Sequence, residues 1–358
     1  MLGNRKLVLD TGCEVYSELE QYADASFFDF QQHKIVPGAV YLIGRSQFKT
    51  HAALIRKLVD KNVIKVILSD PTEGSDTLRT HCGVYGVQDL VQSGKILILG
   101  GGDMGDSYTC LQYDSFLPKI LDYNENIAAV NRSPEIYIKT TKPFKFLFLN
   151  GRYRSHRKYL LDHFQDTGLL NQSIWTCLDT KMGTIKLLDS KYEYVDYQNT
   201  SVTTADRFVK HQLFNNTWGE IYLNAEPYVD TYFSLVTETV FNYPYSFRTE
   251  KIWKPVAMGH PWIAVANCGY YRDIHNLGFR TFGHVIDEGF DVIENNANRL
   301  QRISQVVEDL CKQDLANFLK ECYNVCKYNQ QHMAEMRTRV RSELPERFQQ
   351  FINKHINE

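Results

Sequence analysis

Between Lys139 and Lys158 the chain reads KTTKPFKFLFLNGRYRSHRK, seven lysines or arginines plus His156 with no acidic residue among them. The centre of the run, Asn150-Gly-Arg-Tyr-Arg-Ser-His-Arg157, follows an apolar strand-like segment and opens a helix-like one. A strand-to-helix turn aims free backbone N–H groups and the positive end of the helix dipole at whatever binds there. Arg152, Arg154 and Arg157 add guanidinium groups, which meet phosphate oxygens two at a time. That chemistry suits a diphosphate. A charge run on its own reads equally well as a solvated basic face or a contact for RNA, and its position at a strand end is what favours a site.

A second stretch, Tyr232–Val265, carries two glutamates and a lysine at the mouth of a sheet. A strand ends at Thr237-Glu238, an aromatic loop follows, and Thr249 is placed to cap a helix that begins Glu250-Lys251. Gly259 ends that helix and a buried strand starts just past Pro261. A carboxylate here can accept hydrogen bonds from ribose hydroxyls, and the lysine can neutralise a leaving phosphate. The plainer alternative is a capped helix with Glu in its favoured first turn. Pro255 falls inside the helix and should kink it.

The elements that must position these residues follow from periodicity. Lys6–Asp10, Val40–Gly44, Ile64–Asp70 and Lys95–Gly100 are short β-rich runs, and His51–Asn62 has the apolar stripe of a helix. Strand–helix alternation at this spacing predicts an α/β fold with parallel sheet. Ligands on such sheets gather at the carboxyl ends of the strands, which puts Asp10, Asp70 and the loop Gly100–Asp106 on a functional rim. Residues 131–143 contain two prolines and place a domain boundary near 140. A second α/β pattern then runs through Phe144–Leu149, a helix around His156–Phe164, strands near Ile221–Asn224 and Phe233–Val236, a helix near Glu250–Met258 and a strand at Trp262–Ala266. From Ala297 the apolar period is helical, with a last helix over Arg347–Ile356. The expected domains are 1–140, 141–328 and a helical tail, 329–358.

Composition narrows the function classes. The 358 residues are 43% hydrophobic and 23% charged, with a net charge of −2, so binding to nucleic acid or anionic membrane through the overall field is not expected. No run approaches the roughly 18 apolar residues of a membrane span, and the start MLGNRKLVLDTG lacks an apolar stretch of signal-peptide length, which predicts a cytoplasmic chain. The eight cysteines form no CxxC pair and read as small buried apolar residues, Cys322 and Cys326 included. Asp287, Glu288 and Asp291 read as a loop feeding the next helix, and His260 and His284 as structural.

The second half resembles the donor-binding half of GT-B glycosyltransferases, which carry two Rossmann-like domains facing a cleft. The segment Phe233–Glu238, its loop, Thr249-Glu250-Lys251 and Gly259-His-Pro-Trp-Ile-Ala-Val265 are similar to the α1,3-fucosyltransferase and exostosin-like group. Phage and bacterial proteins of that pattern also carry an Asn-Gly-Arg-x-Arg-x-His-Arg block upstream. The likeness covers roughly residues 144–300 and departs from fucosyltransferases in the Lys254-Pro255 pair and the Pro-Tyr-rich loop. It implies a hexosyl or fucosyl transfer from a nucleoside-diphosphate sugar, GDP-sugar favoured, to a hydroxyl of a glycan or other acceptor. Glu238 and Glu250 would contact the nucleoside or ribose, and Lys251 with Arg152, Arg154 or Arg157 would hold the pyrophosphate. No Asp-x-Asp occurs in the chain, which fits GT-B enzymes that work without a metal and with no cofactor. An inverting reaction would need a general base from the first domain, with Asp103 and Asp70 the candidates by position. The rival class is a non-catalytic nucleic-acid or interaction protein using the 139–158 patch.

Overall fold

The computed structural model describes residues 6–10, 12, 13, 15–20, 29, 30, 33–105, 108–124, 141–177, 179–183, 186 and 223–356. The chain divides into two compact units, Met1–Pro118 together with Arg337–Glu358, and Lys119–Met336. The division expected after residue 140 falls among residues 125–140, outside the described residues.

In the first unit five parallel strands, β1 Leu7–Leu9, β2 Val40–Gly44, β3 Lys65–Asp70, β4 Ile96–Gly100 and β5 Cys110–Gln112, lie in sequential order. Right-handed crossovers in such an order carry every connection to one face. The core agrees: Tyr41, Ile43, Val66, Leu68, Ile96 and Ile98 pack with Phe48, Ile55 and Val59 of helix α1 (Arg45–Asp60), with Leu78 and Cys82 of α2 (Ser75–Val84), and with Leu90 and Val91 of α3 (Gln88–Gln92). Each fully buried aliphatic side chain contributes about 1.5–3 kcal/mol. The opposite face, with Leu7, Leu9, Leu42, Ile67, Leu97 and Leu99, is equally buried. The C-terminal segment of this unit supplies a stripe at Val340, Leu344, Phe348 and Ile352, and Arg347 donates to the Gln112 carbonyl at 2.8 Å. Helix α1 starts six residues earlier than its apolar stripe indicates and kinks at His51.

In the second unit the described strands β6 (Phe144–Asn150), β7 (Ile174–Cys177), β8 (Thr231–Thr237) and β9 (Trp262–Val265) form a parallel sheet in the order β7-β6-β8-β9. The first strand is therefore interior. The chain steps from it to one side, then returns to build the other, and the order reverses between β6 and β8. Phe146 stacks on Phe233 (5.5 Å) and meets Phe164 edge-on (5.6 Å), which locks helix α4, Ser155–Asp166, onto the sheet. Helix α5, Glu250–Met258, is capped by Thr249 and ends at Gly259 in the left-handed region (φ 62°). A Cβ there would also meet the Gln330 side chain at 2.6 Å, so the left-handed conformation and this close approach both favour glycine.

Several expectations are corrected. Leu223 and Asn224 are not in a strand but lead into a short helical turn, Glu226–Val229, while 221 and 222 lie outside the described residues. Pro255 lies inside α5, which continues past it to Met258, and the residue is buried. The last helix is not separate: α7 runs Leu315–His355 through Pro345, after α6, Asn296–Leu310. Cys82, Cys311, Cys322 and Cys326 are buried thiols, raised by burial to about 11 in Cys82 and about 12 in Cys311. No described helix is long and apolar enough to cross a membrane.

Candidate functional site

In open parallel sheets the crevice for a ligand lies outside the carboxyl ends of the strands where strand order reverses. Here those ends are Asn150 on β6 and Thr237, the last residue of β8, with Glu238 just after it. The first sheet, with sequential order among its described strands, has no such point. Asn150 ties the ends of β7, β6 and β8 together. Its N–H donates to Thr176 Oγ1 (2.9 Å), Thr176 Oγ1 donates back to its carbonyl (3.2 Å), and Thr237 Oγ1 donates to its Oδ1 (3.0 Å).

The Arg block leaves β6 and enters α4 with Arg154 as the residue before the first turn. No side chain caps this helix and its first turn has no acidic residue. Cations at a helix N-terminus oppose the dipole, by about 0.3–1 kcal/mol each, and an anion bound there removes the conflict. The loop is fixed by Asp179, whose Oδ2 accepts from Tyr153 N–H and whose Oδ1 accepts from Lys181 N–H, both at 2.9 Å. Those two backbone donors hold the Asp179 carboxyl below its usual range.

The six described cations of the run do not form one surface. Lys142 and Arg157 are buried, Lys145 Nζ donates to the Cys311 carbonyl (2.8 Å), and Lys158 pairs with Asp162 (2.5 Å). Lys139 lies outside the described residues. Arg152 is exposed and Arg154 half-buried. Arg157, grouped with them as a phosphate contact, is placed otherwise: it is 2% exposed, with NH1 on the Arg152 carbonyl (2.8 Å) and NH2 on those of Thr237 (2.9 Å) and Glu238 (3.4 Å). Burial, with the charge of Arg154, pulls it to about 10, so it stays cationic at neutral pH. It ties the loop before α4 to the end of β8.

Glu238 is fully buried, and its carboxylate accepts from Thr249 N–H, Thr249 Oγ1, Tyr270 OH and Thr239 N–H. Burial pushes its carboxyl up, with the Lys251 ammonium and the Thr249 hydrogen bonds pulling against that. The expected contact of Glu238 with a ribose is not favoured by this geometry, because internal donors already occupy the carboxylate. Lys251 Nζ sits 2.6 Å from Glu250 Oε1 and 3.0 Å from Thr249 Oγ1, yet the side chain stays 27% exposed. Burial alone would raise the Glu250 carboxyl, but the ammonium groups of Lys251 and Lys254 outweigh it and hold it below its usual value.

His156 cannot serve as a base. Its Nε2–H donates to the Glu238 carbonyl (3.0 Å), its ring stacks on Phe241, and burial beside Arg157 lowers it to about 3. His260 is likewise neutral: its Nε2–H donates to Thr231 O, its Nδ1 accepts from Ser234 Oγ, and burial brings it to about 3. A histidine depressed below its unfolded value near 6.5 takes up its proton only on unfolding. Its contribution is therefore complete above 6.5 and is lost as pH falls toward 3. The stability gap between wild type and His260→Gln should narrow by about 2 kcal/mol between about pH 7 and pH 5. Urea midpoints at the two pH values check this, and a gap independent of pH would count against a neutral buried His260.

The general-base candidates stand in the first unit. Asp70 is buried, accepts from Thr72 Oγ1 (3.1 Å) and pairs with Arg45 (3.5 Å), which also binds Glu73 (2.6 Å). Asp103 is exposed, with Oδ1 accepting from Gly105 N–H at 2.7 Å, and is the more accessible of the two. Asp10 is spent on the N–H groups of Gly12 and Gly44. Glu288 and Asp291 are also internal: Glu288 holds Thr281 and Phe282, and Asp291 accepts the N–H groups of Tyr271 and Arg272. Among the described residues no group of three or more His, Cys, Asp or Glu is placed to hold a metal ion. No family model, curated protein or solved structure matches this chain.

Proposed function

We propose that this chain is a glycosyltransferase of the GT-B kind, moving a hexosyl or fucosyl group from a nucleoside-diphosphate sugar to an acceptor hydroxyl. The observation that carries the reading is the coincidence of strand-order reversal between β6 and β8 with two helix starts bearing solvent-reaching cations, exposed Arg152 and half-buried Arg154 before α4 and half-buried Lys251 in α5. Lys251, Arg152 and Arg154 take the diphosphate and neutralise it as it leaves, together with the N–H groups of the first turn of α4. Glu250 keeps the Lys251 ammonium in place and is the carboxylate left to accept a ribose hydroxyl. Arg157 braces the strand ends and stays off the ligand. The fucosyltransferase likeness favours a GDP-sugar, and the dispersal of the cations of the 139–158 run argues against a polyanion surface.

The test is release of nucleoside diphosphate from GDP-, UDP- and ADP-sugars by the purified chain, with and without simple glycans. Turnover of one of these that Glu250→Gln reduces supports the reading. No turnover, together with tight and steeply salt-dependent binding to oligonucleotides unaffected by Glu250→Gln, would establish the polyanion alternative instead.

A further inference from the structure

We propose that Glu238 is a positioning residue that holds the two ligand-facing segments in one geometry, and that its carboxylate contacts no ligand. This deepens the glycosyltransferase reading and rests on it for the identity of the ligand. A carboxylate offers about four acceptor sites. In Glu238 all four have donors: Thr249 N–H (3.1 Å) and Tyr270 OH (3.1 Å) on Oε1, and Thr249 Oγ1 (2.7 Å) and Thr239 N–H (3.3 Å) on Oε2. A ribose hydroxyl would have to displace one of them from a fully buried group.

The direction of these bonds gives the residue its leverage. Thr249 Oγ1 accepts from Lys251 N–H (3.3 Å) and from Lys251 Nζ (3.0 Å), which occupies both of its lone pairs. Its own proton must then point to an acceptor, and Glu238 Oε2 is that acceptor. The polarity runs from Lys251 through Thr249 to Glu238, so the carboxylate sets the side chain that aims the ammonium. The main-chain carbonyl of the same residue accepts from His156 Nε2 (3.0 Å) and Arg157 NH2 (3.4 Å), both in the first turn of α4. One residue thus fixes the start of α5 with its side chain and the start of α4 with its backbone.

Glu238→Gln replaces an acceptor by a donor: an amide nitrogen accepts no hydrogen bond, so at Oε2 it would receive neither Thr249 Oγ1–H nor Thr239 N–H, and at Oε1 it would not receive Thr249 N–H. Titration calorimetry with inorganic pyrophosphate and with GDP separates the roles, because pyrophosphate has no ribose. Positioning predicts that Glu238→Gln weakens both ligands by the same factor, about ten- to hundred-fold. GDP weakened with pyrophosphate unchanged means a direct ribose contact, and neither weakened means no role at the site. Either result overturns the proposal. If Glu238→Gln does not fold, Thr249→Val breaks the same relay one bond further on and should weaken both ligands equally, with Thr249→Ser restoring them. A ligand-free arm keeps the test separate from the proposed function. Glu238→Gln should both speed amide exchange at Lys251 and shift the imidazole Nε2–H signal of His156. If the wild type binds neither ligand, the glycosyltransferase reading fails, and joint movement of the two signals still supports the positioning role. Movement of neither signal, or of only one, overturns it.

Discussion

Replacing Lys251 by alanine is expected to weaken nucleoside diphosphate binding about hundred-fold, the equivalent of about 2.7 kcal/mol. The ammonium occupies the second helical position of α5, where the dipole disfavours a cation, and two buried carboxylates lie next to it. Glu250 and Thr249 grip it at 2.6 and 3.0 Å while part of the side chain remains open to solvent. A lysine needed only to satisfy Glu250 would not also have to be held at the mouth of the strand-reversal crevice. The change also takes away the ammonium that bonds Glu250 at 2.6 Å and leaves Lys254 as its cation, at a cost of about 1–3 kcal/mol in stability. Calorimetric titration well below the melting transition separates the two effects. Affinity within a factor of about two of the wild type would remove Lys251 from the site.

The second large effect is on folding. Arg157→Met should destabilise the chain by about 3–5 kcal/mol, a large part of the 5–15 kcal/mol that a folded chain typically has. The methionine fills most of the volume but leaves the carbonyls of Arg152, Thr237 and Glu238 without their guanidinium donor. It also removes a cation whose charge acts on the buried carboxylates of Glu238 and Glu250. Arg157→Lys should rescue little, since one ammonium cannot span carbonyls on two elements. By contrast, Arg152→Ala should keep its melting temperature and lose ligand protection, because the Arg152 side chain is exposed and only its carbonyl is used. Urea unfolding of the three variants checks this, and a stable Arg157→Met that merely fails to bind would return Arg157 to the ligand.

Local features of this architecture were legible from residue order. Val40–Gly44 and Glu250–Met258 lie where apolar runs, the Thr249 cap and Gly259 put them. Strand order was not legible, because pairing of β6 with both β7 and β8 is settled by contacts distant in sequence. Strands β5 and β7 went unread since three or four residues are too few for alternation to register. Asp179, just past the end of β7, was missed with its strand. Arg157 was grouped with the exposed arginines by composition. Its helical phase told otherwise, for 157, 160, 161 and 164 share the buried face of α4. Glu238 looked like a ligand contact because a strand end is where such contacts occur. Its donors Thr249 and Tyr270 come from 11 and 32 residues away, beyond what spacing reveals.

The central claim is that the crevice between β6 and β8 takes a nucleoside diphosphate through Lys251 and Arg152. Thermal protection measured with GDP, UDP, ADP and CMP on the wild type, Lys251→Ala and Arg152→Ala tests it most directly. At a ligand concentration of about 100 times the wild-type Kd, the expected result is about 2.7 kcal/mol of stabilisation by at least one diphosphate, falling to about 0.4 kcal/mol in Lys251→Ala and largely lost in Arg152→Ala. No shift with any of the four nucleotides, or a shift that both variants keep in full, would contradict it.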